Sequence, residues 1–80
     1  MDPLDVQRLI ETGLPGAMVR VSGDGRHFQA LIVSDAFLGK STLQRHRLVY
    51  GLLHEHLKSE ALHALSLRTL TSEQWSQESD

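Results

Sequence analysis

The tripeptide Gly23-Asp24-Gly25 divides two short runs of strand-forming residues. Glycine and aspartate both tolerate positive φ, so the segment reads as a turn. Before it, Met18 to Ser22 alternates, with Val19 and Val21 on one face and Arg20 and Ser22 on the other. After it, His27 to Ser34 contains Ala30-Leu31-Ile32-Val33, apolar on both faces. Such a run suits a strand covered on both sides or central in its sheet. The two runs predict a β-hairpin, around which everything else must be arranged.

Upstream, Asp2 is a helix N-cap with Pro3 at the first helical position, where its missing N–H costs nothing. Val6, Leu9, Ile10 and Leu14 form a short apolar stripe, ended by Gly13, Pro15 and Gly16. Downstream, Asp35 to Lys40 is a connector with room for one helical turn. Ser41 or Thr42 then caps the longest helix, expected to run to about Ser59. Leu43, Val49, Leu52, Leu53 and Leu57 form its expected buried stripe. His63 to Leu70 alternates as a third strand, and Thr71 or Ser72 caps a short final helix carrying Trp75.

The order α-β-β-α-β-α makes the long helix a crossover, so strands two and three should be parallel, with a right-handed connection. The expected fold class is α+β: a mixed three-stranded sheet with helices on one face, residues 1–80 forming one domain. With 80 residues the core is modest. A chain this small buries only about 60–65% of the surface that it exposes when unfolded.

The chain contains no cysteine, so it cannot supply a thiolate nucleophile or thiolate metal ligand. The acidic start Met1-Asp2-Pro3-Leu4-Asp5 lacks an apolar run, and no stretch approaches the roughly 20 apolar residues of a membrane span. A cytoplasmic protein without membrane contact is expected. The net charge of −2 is no footprint for strong nucleic-acid binding.

Chemistry-bearing spacings are few. Gly39-Lys40-Ser41 echoes a phosphate loop, but the first glycine of that motif falls on Ser34. His54 and His56 stand about 200° apart on a helix and cannot chelate one ion. Gln44-Arg45-His46-Arg47 is a basic cluster able to meet phosphates, although a solvated helix face explains it as well. His63 at a strand start reads first as an edge histidine; its imidazole is also a good iron or zinc ligand. The serines sit at caps and turns, and no paired-carboxylate pattern is present, so an enzyme is not expected.

Several segments together resemble the BolA family. They are Val21-Ser22-Gly23-Asp24-Gly25-Arg26-His27-Phe28, Val33 through Ser41, Gln44 through Tyr50, Leu62-His63-Ala64-Leu65-Ser66-Leu67 and Glu73-Gln74-Trp75. The compact hairpin looks most like the IbaG branch of bacterial BolA-like proteins. The resemblance implies a fold similar to class II KH domains and partnership with a monothiol glutaredoxin. It further implies a [2Fe–2S] cluster bridged between the partners, the glutaredoxin bringing a cysteine and glutathione's thiol. No cofactor is expected in the isolated chain. The ligand implied here is the histidine of His63-Ala64-Leu65, often joined by a second His or Cys from the hairpin loop. At that second place this chain has Asp24, with His27 directly before Phe28; His27 ranks first, Asp24 or water being the alternatives. The family also includes transcription and stress regulators, for which Lys40, Arg45 and Arg47 would form the DNA-facing surface.

Overall fold

The computed structural model describes residues 1–59 and 64–79. The elements are helix α1 (Pro3–Gly13), strands β1 (Met18–Gly23) and β2 (His27–Val33), and a 3₁₀ turn (Asp35–Phe37). Helices α2 (Thr42–Leu52) and α3 (His54–Lys58), strand β3 (Ala64–Leu70) and helix α4 (Ser72–Ser79) follow. The α+β class and the order of elements agree with the expectation. His63, expected to open the third strand, lies outside the described residues.

Three helices start in the same way. The Asp2 side chain accepts from the Leu4 amide at 3.0 Å while Asp5 accepts from the Asp2 amide at 3.2 Å. Ser41 and Gln44 exchange the equivalent pair at 3.2 and 2.9 Å, as do Thr71 and Gln74 at 3.2 and 2.9 Å. Each box satisfies two orphan amides of a first turn, and losing such a cap costs about 1 kcal/mol. Thr71, of the two residues expected, is the cap of α4.

The sheet order is β1-β2-β3. β2 is central: antiparallel to β1, from Met18↔Val33 to Gly23↔Phe28, and parallel to β3, from His27↔Ala64 to Val33↔Leu70. One face carries Val19, Phe28, Ala30 and Ile32, all buried, against Val6 and Ile10 of α1, Leu14 at its C-cap, Val49 of α2 and Leu53. The other face carries Arg20, Ser22, Gln29 and Ser66, all exposed. Of the two origins considered for the doubly apolar run, centrality is the one found. Leu31 points to the open face and is half-buried.

The long helix differs from expectation in two ways. It is broken at Leu53, whose backbone (φ −109°, ψ 9°) leaves the helical region and whose amide bonds back only to Tyr50 O, at 3.1 Å. Gly51 weakens the preceding turn, and the break delivers Leu53 to complete burial. Leu43, expected in the buried stripe, is 60% exposed. At 100° per residue it lies about 120° around the helix from fully buried Val49. The position one turn before Val49 is Arg45, and that side chain takes the inward place. Among the described residues no helix is long and apolar enough to cross a membrane.

Two glycines give opposite expectations. A Cβ at Gly23 would stand 2.4 Å from the His27 carbonyl oxygen, a backbone atom fixed by the hairpin. At Gly51 a Cβ would meet nothing within 4 Å. Urea unfolding should show Gly23→Ala destabilised by roughly 2 kcal/mol or more. Gly51→Ala should be stabilised by about 0.5–1 kcal/mol. A neutral Gly23→Ala would contradict the packing described.

Candidate metal-ligating end of the sheet

The hairpin loop is Asp24-Gly25-Arg26, with Gly25 at φ +93°, where a side chain is strained. Its geometry is set by one carboxylate oxygen. Asp24 Oδ1 accepts from the Arg26 amide at 2.9 Å and from the His27 amide at 2.8 Å. The Asp24 amide donates back to His27 O at 3.2 Å. These amide bonds, His27 first and Arg26 second, hold the Asp24 carboxyl at a pKa of about 2 against its usual 3.8, with the nearby His27 ring adding to the effect.

His27 stands directly after this loop. Its side chain is 75% exposed, and its Nδ1 lies 3.7 Å from Asp24 Oδ2, an ion-pair distance only when the ring is protonated. Nε2 makes no hydrogen bond among the described residues. At that distance the carboxylate lies near the ring without a hydrogen bond to it. In register His27 pairs with Ala64, and the Ala64 amide donates to Arg26 O at 3.2 Å. The hairpin end and the start of β3 therefore form one exposed corner of the sheet.

Of the predicted ligands, His27 is at this corner. His63 lies outside the described residues; Ala64, next to it in sequence, is His27's partner. Asp24, the alternative second donor, has one oxygen occupied by the loop. Among the described residues no three His, Cys, Asp or Glu side chains gather as a metal-holding group. Of these predicted donors, His27 and Asp24 stand at this corner as single groups.

The basic cluster divides. Lys40 and Arg47 are exposed. Arg45 is half-buried and held on several sides. Its Nε donates to Lys40 O at 3.0 Å, and its Nη1 to Thr69 O at 3.1 Å and Gln74 Oε1 at 2.9 Å. Its guanidinium lies 5.7 Å from the Phe37 ring centre. It ties together the connector, β3 and the start of α4. Sequence reasoning missed this role; the available signal was its spacing of one turn from Val49. His46 packs edge-on to Tyr50, and His56 is half-buried while His54 is exposed, the two rings lying on different sides of their helix.

Two measurements check this geometry. Arg45→Lys removes the fork that reaches three acceptors and should cost about 1–2 kcal/mol, whereas Arg47→Lys should be neutral within about 0.5 kcal/mol. For Asp24 the folded-state pKa is depressed, so its ionised form stabilises the fold above pH 3.8, and that contribution is lost as pH falls through about 2. Thermal unfolding of wild type against Asp24→Asn should show an advantage for wild type near neutral pH that is mostly lost by pH 2 and vanishes below it. A pH-independent gap would contradict the loop assignment.

Comparison with known proteins places the chain. The family model described as BolA-like protein matches residues 11–74. The acid stress protein IbaG of Escherichia coli is 33% identical over 78 residues, covering 98% of this chain and 93% of that protein. The DNA-binding transcriptional regulator BolA of Escherichia coli is 44% identical over 54 residues, covering 68% of this chain and 50% of that protein. Among solved structures, a bolA protein homologue from Coxiella burnetii superposes with a TM-score of 0.85 at 42% identity, covering 95% of this chain and 97% of that one. The names of these relatives describe stress and regulatory proteins, and the shared sequence and fold make this chain a member of the BolA family.

Proposed function

We propose that the chain is a non-enzymatic cytoplasmic adaptor that binds a monothiol glutaredoxin and shares a [2Fe–2S] cluster with it, in iron–sulfur trafficking or iron and stress regulation. The observation that carries the reading is the pairing of His27 with Ala64, which brings the exposed hairpin histidine to the end of the strand that follows His63. His63 is the first ligand proposed and His27 the second. The donor set fits a shared cluster and not a private one. Imidazole nitrogens are present, thiolates are absent from the whole chain, and mixed His/Cys ligation is sound for a [2Fe–2S] centre. The glutaredoxin cysteine and glutathione would bring the sulfur ligands. The cluster, when bound, supplies an iron–sulfur unit to pass on or to sense. The chain's own residues supply nitrogen donors, and Asp24 holds the His27 backbone in place.

The test is anaerobic reconstitution with a monothiol glutaredoxin and glutathione, read by visible circular dichroism. Wild type should give a heterocomplex spectrum distinct from that of the glutaredoxin alone. His63→Ala should abolish that difference, and His27→Ala should alter it. An unchanged spectrum for His63→Ala would remove His63 from the ligand set.

A second reading, a DNA-binding regulator, is favoured by the similarity to the regulator BolA. The free cations would be Lys40 and Arg47, since Arg45 is held within the fold. Duplex DNA titrated at several salt concentrations should then bind with a steep salt slope. Arg47→Gln should flatten that slope by about one unit, while Arg45 substitution acts mainly through stability. No salt-sensitive binding near physiological ionic strength would overturn this reading.

A further inference from the structure

The open face of the sheet, opposite the core, is not a plain solvated surface. The register sets Arg20 opposite Leu31 and Leu31 opposite Arg68, so two arginines flank one half-buried leucine. Strands stand about 4.8 Å apart, which puts the two arginine backbones about 10 Å from each other. The next row toward the hairpin is Ser22, Gln29 and Ser66. Together these residues line a groove of about 390 Å³, and no acidic side chain is among its lining. That volume lies in the range of small-molecule sites.

The two arginines are in different states. Among the described residues Arg20 has no ion-pair or hydrogen-bond partner for its side chain. Arg68 Nη2 pairs with Glu78 Oε1, from the last turns of α4. The molecule thus already brings one carboxylate to the rim of the groove and leaves the opposite guanidinium unanswered.

We propose that this face binds a small phosphomonoester, its phosphate held between the Arg20 and Arg68 guanidinium groups above Leu31 and its organic body lying along the groove. A phosphate dianion carries two charges and three terminal oxygens, enough to engage two guanidinium forks, whereas a carboxylate satisfies one. Ser22, Gln29 and Ser66 supply neutral hydrogen-bonding groups beside it. No aromatic side chain lines the groove, so it lacks the stacking platform of a single-stranded nucleic-acid site. Glu78 acts as a resident competitor for Arg68. The groove shares its face with the hairpin corner, whose His27–Ala64 row lies one step beyond Gln29 and Ser66, but the proposal does not depend on the cluster reading.

The probes are phenyl phosphate, inorganic phosphate and benzoate, titrated into the ¹⁵N-labelled full chain with backbone and arginine Nε–H signals recorded by NMR. Phenyl phosphate should give saturable shifts at Arg20, Leu31 and Arg68, and bind more tightly than inorganic phosphate or benzoate. Arg20→Gln, an exposed change that leaves the core untouched, should weaken it roughly tenfold. Glu78→Gln should tighten it roughly two- to fivefold by releasing Arg68, a gain that a merely structural role for Glu78 would not produce. Benzoate binding as tightly as phenyl phosphate would overturn the ligand class. Shifts centred on Lys40 and Arg47, or no saturation by about 10 mM, would overturn the site; that concentration is well above ordinary metabolite-range affinities.

Discussion

Phe28 anchors the register of β2 against both neighbours. Its ring is 1% exposed, facing the core between Gly23 on β1 and Leu65 on β3. Because side chains alternate, an inward Phe28 makes an outward His27, and a slip of one residue would exchange them. The cost of such a slip is large, since exposing a buried phenylalanine forfeits about 1.5–3 kcal/mol, and Ala30 and Ile32 would follow it out. Gly23 permits the close approach to this residue that a Cβ would block. The same register that buries Phe28 sets His27 beside Ala64 and Arg20 and Arg68 on either side of Leu31. The hairpin corner and the open-face groove are two consequences of one packing decision.

Much of this was legible from the chain alone, and the reasons are local. The hairpin follows from Gly23-Asp24-Gly25, and the helix starts from Asp2, from Ser41 or Thr42 and from Thr71 or Ser72, the structure choosing Ser41 and Thr71. The central place of β2 was one of two readings of its doubly apolar run. What escaped the sequence depended on distant contacts. Leu43 reads as a stripe residue until the helix phase is set by fully buried Val49. Arg45 reads as a basic-patch residue until Thr69 and Gln74, far along the chain, supply its acceptors. The Arg20–Leu31–Arg68 row does not exist before strand pairing creates it. Of the candidate ligands, His27 was placed at a strand edge by its position after the turn. Its neighbour across the sheet became visible only through the parallel register.

Charge is handled differently at the two ends of the molecule. At the hairpin, a carboxylate is consumed by backbone amides, which shapes the loop and keeps Asp24 ionised without needing a cation. At the far end, the Arg45 guanidinium is consumed by two carbonyls and an amide oxygen, which joins β3 to the connector. In both cases a charged side chain replaces apolar burial as the fastening, as suits a domain with so small a core. His27 at the corner and Arg20 on the open face are among the groups left unconsumed, and functional proposals rest on them.

The central claim is that this chain contributes histidine nitrogen to a cluster whose sulfur ligands come from its partner. Pulsed EPR of the reduced heterocomplex tests it most directly, with histidines of this chain alone labelled with ¹⁵N. The account predicts a strong ¹⁵N coupling to the cluster that loses its His63 contribution in His63→Ala and is gone when His63 and His27 are both replaced. A cluster in the same complex without ¹⁵N coupling from this chain would contradict it.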